Sequence, residues 1–241
     1  MTDTPSPATV AAPVLHTHPN AERWAAAAAE AIARTLCEDL ASRPRARLLV
    51  SGGTTPAPVY AALSQVALHW SRVDVALVDE RWLHPDDPDS NARLVREHLL
   101  QHGAAEARFE PLTQPGRTLE DAVAWANAHA QQPAAVAVLG MGDDGHTASL
   151  FPGMHGLERA LSSERPYVAV DARDCPGARQ WARRISLTPA GLRCARERVL
   201  LLRGTGKRAV LERALADGDP RRWPVLVALG GGAPLQVHWC P

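Results

Sequence analysis

Lysine is almost missing from this chain: of 26 lysine and arginine residues, only Lys207 is a lysine. Arginine therefore serves wherever a generic surface cation will do. Lys207 marks a place where a compact, flexible ammonium fits and a planar guanidinium does not. Net charge is missing as well, since 26 acidic residues cancel the 26 basic ones. With no basic stripe and no interleaving of aromatic and basic residues, the chain carries no footprint for a nucleic-acid partner. Cysteine is sparse: Cys37, Cys175, Cys194 and Cys240 stand far apart, with no Cys-x-x-Cys pair and no histidine cluster beside them. Such spacing supports neither a disulfide framework nor a cysteine metal site, and a reduced, cytoplasmic protein is the simplest reading. The longest apolar runs fall far short of a membrane span. Met1 to Pro13 holds no lysine or arginine and is broken by Pro5, Pro7 and Pro13, so it lacks the charged head and apolar run of a secretory leader.

What is present is ordinary for a globular protein: 241 residues, 46% hydrophobic and 22% charged, enough to bury a sizeable core in one domain. Residues 1–12 read as a loose tail and residues 13–241 as a single α/β domain. Strand-like apolar runs alternate with helical stretches, the pattern of a mostly parallel, doubly wound sheet flanked by helices. Strands are expected at Pro13 to His18, Arg47 to Val50, Val73 to Val78, Ala134 to Leu139, Tyr167 to Val170, Arg183 to Thr188, Val199 to Leu202 and Leu235 to Trp239. Helices are expected from an Asn20 cap to Leu40, from Ala57 to His69, from Ala92 to His102, from Leu119 to Ala130 and from Lys207 to Ala216. His16 and His18 alternate on the first strand. With no third ligand near them in sequence, they read as surface histidines and not as a metal site.

The chain is organised around Gly140-Met141-Gly142-Asp143-Asp144-Gly145-His146, where a buried strand empties into a turn. Ligands of open α/β sheets bind outside the carboxyl ends of the strands, so two carboxylates and an imidazole are well placed there for chemistry. A second turn, Ser51-Gly52-Gly53-Thr54-Thr55-Pro56, joins a strand to a helix start. Its free N–H groups and hydroxyls make an anion site. It lacks the lysine of a P-loop and the spacing of a dinucleotide fingerprint, which favours a sugar phosphate. Asp79-Glu80-Arg81, acid, acid and base at the carboxyl end of a third strand, reads as a second convergent site, with a solvated charged loop as the plainer alternative; Ser90-Asn91 follows as a helix cap or substrate contact. Lys207 opens a helix just beyond a fourth strand. A cation at that end of a helix dipole is unfavourable unless an anion balances it. Arg43, Arg45 and Arg47 read as surface charge.

These motifs, in this order, resemble those of the 6-phosphogluconolactonases, in the superfamily of glucosamine- and galactosamine-6-phosphate isomerases. The resemblance rests on Ser51 to Pro56, on Asp79-Glu80-Arg81 with Ser90-Asn91, on Gly140 to Pro152, on Arg184-Ile185-Ser186-Leu187-Thr188 and on Gly206-Lys207. It implies a fold like that of the glucosamine-6-phosphate deaminases, no metal or other cofactor, and hydrolysis of 6-phospho-D-glucono-1,5-lactone. It further implies His146 as catalytic base, Asp79 and Arg81 as active-site acid and cation, and Lys207 as active-site lysine. Thr54 stands where serine is common in the family, and Ala92 where an aromatic often follows Ser-Asn.

The chemistry agrees independently. A lactone is an activated ester, so water deprotonated by an imidazole suffices, and an imidazole titrating near ~6.5 is available as a neutral base in the cytosol. Asp144 or Asp79 could orient the ring. Gly52, Gly53, Thr54, Asn91, Arg81, Arg184 and Lys207 are the candidates for holding the substrate, with the three cations given to phosphate or carboxylate. Two alternatives stand beside this reading. A sugar-phosphate isomerase or deaminase would use the same fold, but would depart from Thr147-Ala148-Ser149-Leu150-Phe151-Pro152 after the histidine. A non-catalytic sugar-phosphate sensor would keep the glycine turn and the cations without needing His146. A Schiff-base role for Lys207 would require a desolvated amine away from anions.

Overall fold

The computed structural model describes residues 11–241, so most of the expected tail, residues 1–10, lies outside the described residues. In chain order the elements are β1 (Val14–Thr17), α1 (Ala21–Ser42), β2 (Ala46–Val50), α2 (Ala57–Leu63), β3 (Val73–Leu77), β4 (Asp79–Arg81), α3 (Asn91–His98), β5 (Arg108–Glu110), α4 (Leu119–His129), β6 (Ala134–Leu139), α5 (Leu157–Leu161), β7 (Tyr167–Asp171), β8 (Arg183–Leu187), α6 (Pro189–Arg193), β9 (Ala195–Arg203), α7 (Thr205–Asp217) and β10 (Gln236–Cys240). Seven strands form one sheet in the order β1-β10-β9-β6-β2-β3-β5, with every neighbouring pair parallel. All residues of β2, β3 and β6 are buried. This is why those stretches are apolar almost throughout and do not alternate.

The order of the strands sets the place of the site. From β2 the chain moves outward to β3 and β5, whereas from β6 it moves the other way, to β9 and β10, beyond which the first strand, β1, forms the edge. The carboxyl ends of the adjacent strands β2 and β6 therefore flank the switch point of the sheet, where a crevice opens. Ser51 to Thr54 leaves one of these ends and Gly140 to His146 the other.

A second sheet was not expected. Its strands, in the order β4-β8-β7, are antiparallel. The chain changes sheets at Val78, whose N–H donates to Val50 O at 2.8 Å while its carbonyl accepts from Leu187 N at 2.8 Å. Asp79 to Arg81, expected just past the end of a strand, is thus a short strand of its own. Asp79 and Glu80 on it are 6% and 0% exposed. The run misleads because only three residues pair, all of them charged. Arg47 is likewise no surface residue: it is buried, 2.8 Å from Glu110, with Nη1 donating to His129 O. Arg45 is half-buried against Asp74 at 2.7 Å.

Most helices match their expected starts. Asn20 caps α1 by accepting from Arg23 N, and Ser90 caps α3 by accepting from Ala92 N and Arg93 N. Two helices are shorter than expected. α2 stops at Leu63, followed by a 3-10 turn at Trp70–Arg72, and α3 stops at His98, followed by a 3-10 turn at His102–Glu106. α7 begins at Thr205, two residues before Lys207. β9 is longer than its apolar middle, because Ala195 to Arg198 also pair with β6.

β1 brings His16 and His18 against His238 of β10. The rings stack, with centroids 4.6 and 5.3 Å from that of His238. Among the described residues no group of three or more potential ligands is arranged to hold a metal ion, and no helix is long and apolar enough to cross a membrane.

Candidate active site

The Gly140–His146 turn folds on itself. Gly142 N donates to His146 O at 2.9 Å and Gly145 N to Gly142 O at 3.1 Å, while Thr147 Oγ1 donates to Gly140 O at 2.8 Å. Gly145 has φ +80°, and a Cβ there would stand 2.6 Å from the Trp223 ring. Only glycine meets both demands. The neighbouring Val225 N fastens the turn from outside by donating to Gly145 O at 2.9 Å.

Within this turn Asp144 Oδ1 accepts from His146 N at 3.1 Å and meets His146 Nδ1 at 2.6 Å. A carboxylate only accepts, so Nδ1 carries the proton and Nε2 is left bare as the basic nitrogen. Burial pushes the Asp144 carboxyl up, but its bonds and charge contact with His146 outweigh this and hold it below the ordinary range. The imidazole is 22% exposed, open enough to meet a water or ligand. Of the two carboxylates considered for orienting the ring, it is Asp144 that contacts it.

After His146 the chain reverses sharply. Ala148 takes φ +50°, a cost for a residue with a Cβ, and Leu150 N donates to Thr147 O at 3.0 Å. This reversal drives Ser149 and Phe151 inward. Ser149 Oγ donates to Asp79 Oδ2 at 2.5 Å, and Ser149 N to Ser186 Oγ at 3.1 Å. The buried Phe151 ring lies 4.3 Å from the His146 ring, with the Arg184 guanidinium 5.1 Å from its centre.

Asp79 is thereby the centre of a buried network. Besides Ser149 it receives Asn91 Nδ2 at 3.4 Å on Oδ1, and Arg184 Nη1 lies 4.0 Å from Oδ2. Asn91 Nδ2 also donates to the Asp79 backbone carbonyl at 2.8 Å. The Asn91 amide packs against the glycine turn so closely that a Cβ on Gly52 would overlap its Oδ1 at 1.8 Å. Arg184 is buried. Its Nε donates to Trp181 O and its Nη2 to Ala178 O, both at 2.8 Å, and Nη1 to Ser149 Oγ at 3.4 Å. Burial lowers its pKa and the Asp79 charge opposes that.

Three further candidates lie on other elements. Gly53, with φ +89°, and the exposed Thr54 end the β2 turn. Lys207, on the first turn of α7, reaches back to the β6 turn, with Nζ donating to Met141 O at 2.5 Å and lying 3.3 Å from Asp143. Arg81, on β4, donates to the Asp89 carbonyl. The structure therefore brings Lys207 of α7 to the turn that carries Asp144 and His146, and Asp79, Asn91, Gly52 and Arg184 into one network. Ser149 and Ser186 in that network were not singled out by the sequence, and neither was Trp223. Ser149 lay inside a noted motif, but nothing in its spacing tied it to Asp79, which is 70 residues away in the chain.

Comparison with known proteins shows what the whole chain is similar to. The family described as glucosamine-6-phosphate isomerases/6-phosphogluconolactonase matches residues 19–239. A 6-phosphogluconolactonase of Xylella fastidiosa is 52% identical over 221 residues, covering 90% of this chain and 92% of that protein. A crystal structure of a 6-phosphogluconolactonase from Shewanella baltica superposes with a TM-score of 0.89 at 35% identity, over 96% of this chain and 99% of that one. A monomeric glucosamine-6-phosphate deaminase, 19% identical with a TM-score of 0.74 over 94% and 96% of the two chains, shares the fold alone.

Proposed function

This chain belongs to the family of glucosamine-6-phosphate isomerases and 6-phosphogluconolactonases, and from that premise we infer that it is a lactonase, hydrolysing 6-phospho-D-glucono-1,5-lactone to 6-phospho-D-gluconate. The observation that carries the reading is the 52% identity to a lactonase across 90% of the chain, joined to an Asp144–His146 pair whose Nε2 is bare. His146 Nε2 takes a proton from water, and the resulting hydroxide attacks the lactone carbonyl. As the ring C–O bond breaks, the imidazolium returns the proton to the departing ring oxygen. Asp144 fixes the tautomer and stabilises the imidazolium.

Lys207, Arg81 and the N–H groups of the Gly52-Gly53-Thr54 turn receive the phosphate, and Asp79, held by Ser149 and Asn91, orders the sugar end. Arg184, with its donors turned to Ala178, Trp181 and Ser149, supplies a fixed positive field beside Asp79. The charge contact of Lys207 with Asp143 at 3.3 Å favours an ammonium over a Schiff-base amine. The substrate and the four free cysteines suit a cytoplasmic protein.

The test is hydrolysis of freshly made lactone with the spontaneous rate subtracted. Wild type accelerates the reaction, and His146→Ala loses on the order of 10²–10⁴ in kcat while keeping phosphogluconate binding. A protein that binds the phosphosugar without turnover would sink the lactonase reading. Lys207→Ala raises KM and keeps turnover at saturating substrate; abolished turnover there would restore the Schiff-base role.

A further inference from the structure

The segment between β7 and β8 contains Cys175-Pro176-Gly177-Ala178, a short 3-10 turn. It is bracketed by two non-glycine residues in the left-handed region, Asp174 at φ 65° and Arg179 at φ 53°. The buried Arg184 fastens it by donating to Ala178 O and Trp181 O. Gly177 itself has no positive φ, so its backbone does not call for glycine. It is exposed, so core packing does not call for glycine either. The reason lies in what a side chain would meet. A Cβ on Gly177 would stand 2.6 Å from Asp144 Oδ2, 3.2 Å from His146 Nδ1 and 3.2 Å from the Phe151 ring.

We propose that Gly177 is a positioning residue for the reaction: its missing side chain lets the 175–178 turn close over the Asp144–His146 pair while Asp144 stays locked on the imidazole. Asp144 can yield to a methyl group only by giving up the bonds of its Oδ1 with His146 N and His146 Nδ1. A methyl group at Gly177 therefore acts on the pair and not on the fold. The inference rests on the reading of Asp144 and His146 as the catalytic pair.

The experiment is a double-mutant cycle of Gly177→Ala and Asp144→Ala, with kcat and KM measured on fresh lactone and thermal midpoints recorded. Gly177→Ala lowers kcat by roughly 10²-fold, the scale of an ångström's misplacement of a catalytic group. KM and the midpoint stay near wild type. In the Asp144→Ala background the same substitution has a much smaller effect, because the carboxylate it would displace is gone. The downfield proton resonance of a His146 Nδ1–H held by a carboxylate is present in wild type and lost in Gly177→Ala. Equal losses in the two backgrounds, or an undiminished Gly177→Ala enzyme, overturn the proposal. An Asp144→Ala enzyme as fast as wild type removes instead the catalytic reading beneath it.

Discussion

Asp144 and His146 are two residues apart, and the turn that joins them makes the pair almost self-contained. Because Asp144 meets Nδ1 at 2.6 Å, its replacement by asparagine is not conservative. An amide turned to donate to Nδ1 puts the ring proton on Nε2, the nitrogen that must accept one. Asp144→Asn is therefore expected to lower kcat on the order of 10²–10⁴ with little change in KM, read by initial rates. A variant within twofold of wild type would exclude the tautomer argument. This pair was legible in the sequence because strand, glycines, acid and imidazole are contiguous. Asp79, Lys207 and Gly52 were legible as residues at strand ends. Their contacts were not: Ser149 on Asp79 and Gly177 against Asp144 depend on a left-handed Ala148 and on a loop between strands of a second sheet, and neither leaves a local signature.

Elements of the main sheet announce themselves by apolar runs, and those of the second sheet do not. β4 is three residues, all charged, and its identity comes from partners far along the chain: Asp79 opposite Ser186, Arg81 opposite Arg184. β5, with three residues, went unread for the same reason of length. The helices were overextended because apolar spacing continues into the 3-10 turns that follow α2 and α3. The β4 strand also explains how α3 begins. Glu80 Oε1 accepts from Asn91 N and Arg81 N, and Oε2 accepts from Ala92 N and Ser90 Oγ, at 2.8 to 2.9 Å. Burial raises the Glu80 pKa while these four donors work against it. An amide cannot accept on both sides, so Glu80→Gln leaves buried donors facing an NH2 group. Denaturant unfolding is expected to show a loss of roughly 1–3 kcal/mol, and activity falls with it because Asn91, on the same cap, holds Asp79. Unchanged stability would mean that the cap is satisfied in some other way.

At the scale of the whole molecule, four neighbouring strands, β9, β6, β2 and β3, carry every proposed active-site group to one edge, directly or through the elements that follow them. The far edge of the same sheet is closed by β1, whose one strand partner among the described residues is β10. There His238 is 4% exposed, with His18 Nε2 3.2 Å from its Nδ1 and the His16 ring stacked on it. Burial first, and then the charges of His16, His18 and Arg34, together push the His238 pKa down to about 4; His18 is lowered too, by burial and then by His16. Among the described residues no carboxylate is one of the groups acting on His238. Above pH ~6.5 the ring is neutral in folded and unfolded chains alike and stability does not depend on it. Between ~6.5 and about 4 the unfolded chain takes up the proton and the fold does not, so stability falls as pH falls. The gap between 6.5 and about 4 corresponds to roughly 3 kcal/mol once fully developed. His238→Phe keeps an aromatic ring in the stack and removes the proton site; the Trp24 Nε1 bond to the backbone carbonyl of residue 238 is untouched. Urea unfolding at a series of pH values should then give a stability curve that is flatter than wild type on the acid side of pH ~6.5 and parallel to it above. Parallel curves across the whole range would show that this ring takes up its proton equally in both states, and that the closure of the sheet by β1 is indifferent to acid.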